Sequence, residues 1–375
     1  MNAKIHASVA VGERRSSSSV AQATSTQRKY DPTKISNHGT CMRAGYLASL
    51  AERIARHWDA EIVAELVAYI RVPAKSPHFD REWRAHGHID AGGEVRVFNR
   101  VRVSIASLNF ANFRTHRKIV VCDGRAGFLG GINLHEPASA TRSGKNAWRD
   151  QHVRIDGEPV HQVQRLFLEN WNYSGGVFKL NASNAAKYFP PARIGEGVPV
   201  QIIASGPDDE TAPLHAFFLA ALSTARRRVL IETPYLIPDE PLEAALRIAE
   251  LRGVAVEVIV PKRSDSWIVT AASHTYCESL GKAGIRMFEY GPPMLHAKTM
   301  VIDDTVAIIG TANLDNRSFR LNFEIAAAFY DATVIKRLVN RFEEDRALSK
   351  PFSRRRGEKL TVFLESLARL TSPVL

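Results

Sequence analysis

The spacing of apolar residues changes along the chain, and each change predicts a different kind of element. Residues 45–72 (GYLASLAERIARHWDAEIVAELVAYIRV) repeat Leu, Ile, Ala and Val every three to four positions among charges, which predicts helix. Residues 73–93, with Pro73, Pro77 and Gly92-Gly93, read as loop. From Glu94 the runs become short and β-branched: EVRVF and KIVVCD are strand candidates, and QIIAS, RVLIET, VEVIV, IRMFEY and TMVID follow in the second half. Helical segments separate several of these, notably 213–226, 240–252 and 265–283. Strands alternating with helices predict a layered α/β fold with a mixed or largely parallel sheet.

The two ends differ from this body. Residues 1–40, with Ser16 to Ser19, scattered basic residues and no periodicity, predict a disordered basic tail with a faint transit-peptide bias. Near the other end, Leu360, Phe363, Leu364, Leu367 and Leu370 recur at helical spacing after Arg354, Arg355 and Arg356. That spacing fits a basic amphipathic helix lying on lipid, and equally a terminal helix docked on the body.

Composition narrows the class. A chain of 375 residues, 45% hydrophobic and 24% charged with 23 Gly and 18 Pro, has material for a large core and is neither collagenous nor wholly disordered. No run of eighteen apolar residues occurs, so any membrane association is expected to be peripheral. Cys41, Cys122 and Cys277 lack zinc spacing and suggest a reducing compartment without a disulfide framework.

The formal charge of +11 sits mainly at the ends. Residues 1–45 hold seven Lys/Arg against two Asp/Glu and residues 332–375 hold ten against five, leaving the middle close to neutral. Basic ends suit DNA phosphates or an anionic membrane equally, but a nuclease should also present a basic groove with stacking aromatics through its middle.

The chemistry lies in an internal repeat. Residues 116–133 read HRKIVVCDGRAGFLGGIN and residues 296–313 read HAKTMVIDDTVAIIGTAN. An offset of 180 aligns His116 with His296, Lys118 with Lys298, Asp123 with Asp303, Gly130 with Gly310 and Asn133 with Asn313, without a gap. If His and Lys two apart lie on a strand, both project to one face, and the Asn after the next short strand brings an amide to the same spot. Two copies meeting about a pseudo-twofold axis would assemble two imidazoles, two ammonium groups and two amides. Such a cage suits a phosphodiester: cations and amides hold the nonbridging oxygens, one His attacks phosphorus and the other protonates the leaving alcohol. A duplicated hairpin kept only for packing would account for the apolar and glycine positions, but not for the recurrence of His, Lys and Asn together.

The pattern HxKxxxxDxxxxxxG(G/T)xN, present twice, resembles the signature of the phospholipase D superfamily. The resemblance implies a duplicated α/β fold, two α/β/α sandwich halves related by a pseudo-twofold axis with the active site at their seam. It also implies a metal-independent, cofactor-free transfer in two steps through a phosphohistidine, with His116 as nucleophile and His296 as general acid. Asp123 and Asp303 would be structural, and later acids, here Asp150 and Glu324, would orient the two histidines. The domain boundaries expected on this basis are 1–40 for the tail, 41–180 and 195–347 for the two halves, and 348–375 for the terminal segment. Residues 40–93 depart from the pattern, offering helix and loop where 198–260 has strand, helix and strand.

Within the superfamily, GTANLDNRSFRLNFEI, NFRTHRKIVV, IETPYLIPDE and LARLTSPVL are similar to bacterial cardiolipin synthases of the phospholipase D type, over roughly residues 94–375. That likeness implies joining of two phosphatidylglycerol molecules with release of glycerol, at the cytoplasmic face of a bacterial inner membrane. An anionic phospholipid is then the expected partner, and nucleic acid is not. The competing readings are a phospholipase D-type hydrolase or nuclease, and a lipid-binding pseudoenzyme. Other residues carry less: His86 and His88 lack a matching metal cluster, Tyr235 suits a cavity wall or a strand end, Cys122 reads as a small core residue, and Phe110 and Phe113 as packing.

Overall fold

The computed structural model describes residues 9–11, 96, 98, 113–192, 197–353 and 368–369. The expected helix at 45–72, the loop at 73–93, the strand at 94–98 apart from residues 96 and 98, His86, His88, Cys41 and Phe110 lie outside them. So does most of the segment from Leu360 to Leu370. Residues 1–14 and 96–375 belong to one compact unit and residues 15–95 to another.

The first repeat forms β2 (Arg114–Thr115), β3 (Ile119–Cys122) and β4 (Ala126–Gly130), followed by β5 (His152–Asp156) and helix α1 (Pro159–Tyr173). β3, β4 and β5 are antiparallel neighbours, and β1 (Val9–Val11) adds an antiparallel edge against β5 with Val9 opposite Ile155. Within the segment expected to be a tail, Val9–Val11 pair along the edge of β5.

The second half supplies β6 (Val200–Ser205), α2 (Pro213–Thr224), β7 (Arg228–Glu232), β8 (Leu236–Ile237), α3 (Glu240–Leu251), β9 (Ala255–Pro261), α4 (Trp267–Lys282) and β10 (Arg286–Tyr290). The second repeat then forms β11 (Thr299–Ile302), β12 (Val306–Gly310) and β13 (Leu314–Asp315), with α5 (Asn316–Arg320), β14 (Asn322–Phe329), α6 (Ala332–Ala347) and β15 (Lys350–Pro351) closing the order. The large sheet runs β15-β10-β9-β7-β11-β12-β14-β2, with β6 also on β14. It is mixed: β7, β9 and β10 are parallel, whereas both neighbours of β11, and β12 and β6 on β14, are antiparallel. Helix starts follow their capping residues: Asp239, Ser266 and Asp331 accept backbone N–H groups of the first turns of α3, α4 and α6.

Alternation along the strands explains the near-continuous apolar runs, because both sheet faces are buried. Val229, Ile231, Val256, Val258, Met300, Ile302, Ile308, Ala326 and Ala328 face α2, α3 and α4. Leu230, Ile259, Val301, Ile309, Ile325, Ala327 and Phe329 face the other way, onto α6 and onto Leu129, Val153, Ile155, Val160 and Val163 of the first half. The two halves thus share one core across their seam. At the far end, Ala368 is buried against Ile237, Val269, Ala272 and Tyr276, and the Arg369 guanidinium lies 4.5 Å from the Tyr276 ring centre. At these two residues the terminal segment rests on the body. No helix among the described residues is long and apolar enough to cross a membrane.

Candidate active site

The motif histidines and lysines do not lie on strands, as their spacing suggested, but in three-residue irregular stretches, 116–118 and 296–298, just before β3 and β11. The cause is a change of pairing partner. Arg114 and Thr115 pair in parallel with Asn322 and Phe323, and the His116 N–H donates to the Phe323 carbonyl at 2.9 Å. In the second copy Leu295 pairs in parallel with Arg149, and the His296 N–H donates to the Arg149 carbonyl at 2.6 Å. Each motif thus enters bonded to the opposite half, then turns into its own hairpin, so no regular ladder spans the His-x-Lys.

That entry sets the acids crosswise. His116 Nδ1 lies 2.9 Å from Glu324 Oε1 and 3.1 Å from Oε2, across 208 residues. His296 Nδ1 lies 2.7 Å from Asp150 Oδ2, across 146 residues. A carboxylate only accepts, so each Nδ1 carries the proton and each Nε2 is unprotonated in the neutral ring. Glu324 is also bound by the Thr311 hydroxyl and, at 3.2 Å, by the Asn322 amide; Asp150 Oδ1 accepts the Gln151 N–H at 2.7 Å.

The glycines make this approach possible. A Cβ on Gly130 would fall 2.4 Å from the Gln151 carbonyl oxygen, and one on Gly310 would fall 2.8 Å from Ala326 Cβ. At the next position the copies differ: a Cβ on Gly131 would sit 2.1 Å from Asp150 Oδ1, whereas Thr311 uses its side chain to hold Glu324. Asp123 and Asp303 occupy the hairpin turns with φ of 52° and 51°. The Asp303 carboxylate accepts the N–H groups of Arg226, Arg227 and Arg228 at 3.0, 2.8 and 2.9 Å, away from the histidines.

Lys118 Nζ donates to the His116 carbonyl at 2.7 Å, and Lys298 Nζ donates to the His296 carbonyl and stands 3.2 Å from His296 Nε2. The two asparagines are less alike. Asn313 Nδ2 donates to Asp315 Oδ2 at 3.1 Å rather than toward the lysines, and its buried Oδ1 has no partner; Asn133 is half-buried, with its carbonyl accepting the His135 N–H.

The electrostatics reflect a crowded positive centre. Burial lowers Lys118 to about 7 and Lys298 to about 8, with the Lys298 charge further lowering Lys118. Burial and then Lys298 lower His296 to about 4, which outweighs the opposing pull of Asp150. Burial raises Asp150 and Glu324, but Lys298 and His296 in one case, and His116 and Lys118 in the other, outweigh it and hold both carboxyls below their usual range. An anion entering here would restore charge to both lysines at once. The His116 side chain is 26% exposed and His296 only 4%.

Sequence reasoning missed three neighbours. The Trp148 ring lies 5.0 Å from His296 and 4.7 Å from His135. Arg117 spans the seam, donating to the Glu324 and Ser205 carbonyls and to Asn170. Arg149 ties the residues around Asp150 to Asp345 of α6. Only the WRD run beside Asp150 hinted at the first and third, and it has no spacing rule attached. Tyr235, half-buried, donates its hydroxyl to Asp265 at 2.5 Å, and the Asp265 charge acts on both Lys298 and His135. Cys122 is half-buried in β3, not fully in the core. Among the described residues no group of three or more His, Cys, Asp or Glu is placed to hold a metal ion.

The chain is similar in sequence to known proteins. Residues 218–346 match the family described as cardiolipin synthase, PLD-like domain. The chain is 39% identical over 291 residues to the major cardiolipin synthase ClsA of Bacillus subtilis, covering 76% of this chain and 59% of that protein. It is 37% identical over 287 residues to a cardiolipin synthase of Staphylococcus aureus, covering 76% and 58% respectively. The crystal structure of phosphatidylserine synthase from Haemophilus influenzae superposes with a TM-score of 0.54 at 16% identity, over 71% of this chain and 72% of that one, a likeness of fold. The chain spans a little under three fifths of the length of the curated relatives it matches. With two His-x-Lys copies interlocked through each other's acids in a duplicated α/β fold, the chain is similar to the cardiolipin synthases of the phospholipase D superfamily.

Proposed function

We propose that the chain is a phosphatidyltransferase of the cardiolipin synthase type, converting two phosphatidylglycerol molecules to cardiolipin and glycerol. The observation that carries this reading is the crosswise pairing of His116 with Glu324 and His296 with Asp150, which leaves both Nε2 atoms unbound by carboxylate, with Lys298 Nζ 3.2 Å from that of His296.

The lipid phosphate docks between Lys118 and Lys298, which regain full charge as it arrives. His116, the more exposed imidazole, attacks phosphorus through Nε2; the bond from phosphorus to the glycerol oxygen breaks, and His296 gives that oxygen its proton. His296 is neutral in the empty site, so its proton arrives with the substrate: the phosphate anion offsets the Lys298 charge that, after burial, depresses it. Neutral again, His296 takes the proton of the second lipid's hydroxyl, whose oxygen attacks the phosphohistidine and frees His116. Asp150 and Glu324 stabilise the imidazolium forms and fix both tautomers. Asp123, Asp303, Gly130 and Gly310 shape the hairpins that hold these groups.

The similarity to cardiolipin synthases and the basic ends support an anionic lipid at a membrane surface, engaged peripherally from the cytoplasmic side. Purified protein incubated with phosphatidylglycerol vesicles, without added metal, should yield cardiolipin and glycerol by mass, lost in both His116→Ala and His296→Ala. Phosphatidic acid alone would move the reading to a hydrolase. No product from folded protein would move it to a lipid-binding pseudoenzyme.

A further inference from the structure

Behind the Asp150 and His296 pair lies a buried charge cluster that the mechanism above does not use. Arg149 is its centre and is almost fully buried. Its backbone N–H donates to the Met294 carbonyl at 2.8 Å and its carbonyl accepts the His296 N–H at 2.6 Å, so its main chain frames the catalytic histidine. Its guanidinium donates to the Asp150 carbonyl and, at 3.2 Å, to Gln151 Oε1. The rest of the fork reaches α6, with Nε 3.1 Å from Asp345 Oδ1 and a terminal nitrogen 2.6 Å from Oδ2.

A second carboxyl, Glu232 at the end of β7, faces the same cation. Its Oε2 accepts the Thr299 hydroxyl at 2.8 Å, one residue past Lys298. Glu232 and Asp345 stand within hydrogen-bonding reach of each other. Asp345 thus pairs directly with the guanidinium, and Glu232 beside it acts on the same cation by charge. The other groups facing them are Tyr290 and Arg341; Arg341 stays 3.6 Å from Asp345 and is also bound by Glu344 at 2.8 Å. Two buried oxygens have no hydrogen-bond partner: Glu232 Oε1 and Asp345 Oδ2, the latter ion-paired with Arg149 but out of line for a hydrogen bond. One proton between the two carboxyls would satisfy both oxygens and leave one negative charge opposite one positive charge.

We propose that Glu232 and Asp345 hold a single proton between them, and that this singly charged pair locks Arg149 as the positioning residue for Asp150 and His296. For its catalytic consequence the proposal rests on the phosphatidyltransferase reading; the shared proton and the position of His296 do not. Burial raises the Glu232 carboxyl to about 7 from an ordinary 4.5. The folded chain therefore binds more protons than the unfolded one between those values, and Glu232 makes stability fall as pH rises through that window. Loss of the proton adds a second negative charge on Arg149 and draws its fork toward β7 and α6, away from the Asp150 carbonyl.

The test is infrared spectroscopy of the full chain with thermal melts, on wild type, Glu232→Gln and Asp345→Asn. Wild type should show a protonated-carboxyl band at pH 6 that is gone by pH 9. Because His296 and His152 act in the opposite sense over part of the range, the Glu232 contribution is read as the wild-type melting temperature minus that of Glu232→Gln, a difference that should fall between pH 5 and 7. Glu232→Gln should remove the band, and a difference that stays constant with pH would overturn the Glu232 titration. Asp345→Asn should also remove the band although Glu232 remains, because Arg149 then pairs with Glu232 alone. A band that persists in Asp345→Asn, or none in wild type, would overturn the shared proton. Arg149→Lys keeps the charge and loses the fork. It should move the His296 Nδ1 proton resonance in nitrogen-edited spectra, and on phosphatidylglycerol vesicles lower kcat by about tenfold or more with KM within about twofold. An unmoved His296 resonance in folded Arg149→Lys would overturn the positioning role whether or not that substrate turns over.

Discussion

His116 is held by Glu324, 208 residues further along the chain, while Asp150, much nearer in sequence, serves His296 instead. Neither repeat therefore contains a complete His and carboxylate pair, and the site exists only when the halves interlock. Since each acid fixes a tautomer and stabilises an imidazolium, Glu324→Gln and Asp150→Asn should each lower kcat on phosphatidylglycerol vesicles by roughly 10²–10⁴ while the protein stays folded. Activity within threefold of wild type in either variant would remove the orienting role from that acid.

Gly131 and Thr311 occupy equivalent positions but are not interchangeable. A methyl at 131 would meet Asp150 Oδ1 at 2.1 Å, and Asp150 is pinned by both His296 and the Gln151 N–H. Gly131→Ala should therefore displace the carboxylate and depress turnover nearly as far as Asp150→Asn. Thr311→Val removes one hydrogen bond to Glu324 and should cost less, on the order of tenfold. Kinetics of the two variants side by side check the ranking.

The depressed His296 makes a prediction about pH with a definite sign. Burial and Lys298 hold it near 4, below the ordinary 6.5, so between these values the unfolded chain binds the extra proton. This residue should make stability rise with pH across that window, and the slope should shrink in His296→Gln. Direct titration by imidazole NMR should find His296 neutral at pH 6 in free protein and shifted toward protonation when inorganic phosphate is added. A His296 signal unaffected by phosphate would contradict substrate-coupled proton uptake.

Leu129 on β4 is fully buried in the core shared by the two halves. Leu129→Ala should cost about 2–5 kcal/mol, as for other large-to-small core changes, and a urea denaturation curve would measure it. Because that core also seats Ile155 and Ile325, which flank the acid-bearing segments, turnover of the folded fraction should drop as well.

Much of the architecture was legible from local pattern. The apolar runs QIIAS, RVLIET, VEVIV, IRMFEY and TMVID became β6, β7, β9, β10 and β11, and the three predicted helices of the second half became α2, α3 and α4 within a few residues. Strand alternation and capping act over two to four residues, so a single stretch of chain carries them. The 180-residue offset was equally plain, because a duplicated hairpin repeats its side chains wherever it sits. What the chain alone determined was which side chains recur in the two motifs and the hairpins that carry them. Tertiary structure decided which acid meets which histidine, that the His-x-Lys runs leave the ladder, that Asn313 turns to Asp315, and that Arg149 pairs with Asp345 beside Glu232. Those relations link residues 146 or 208 positions apart, or on different strands and helices, and no local periodicity encodes them. They follow from two hairpins packing on one shared core, where the backbone leading into each motif bonds to the opposite half and hands its histidine to the other half's carboxylate.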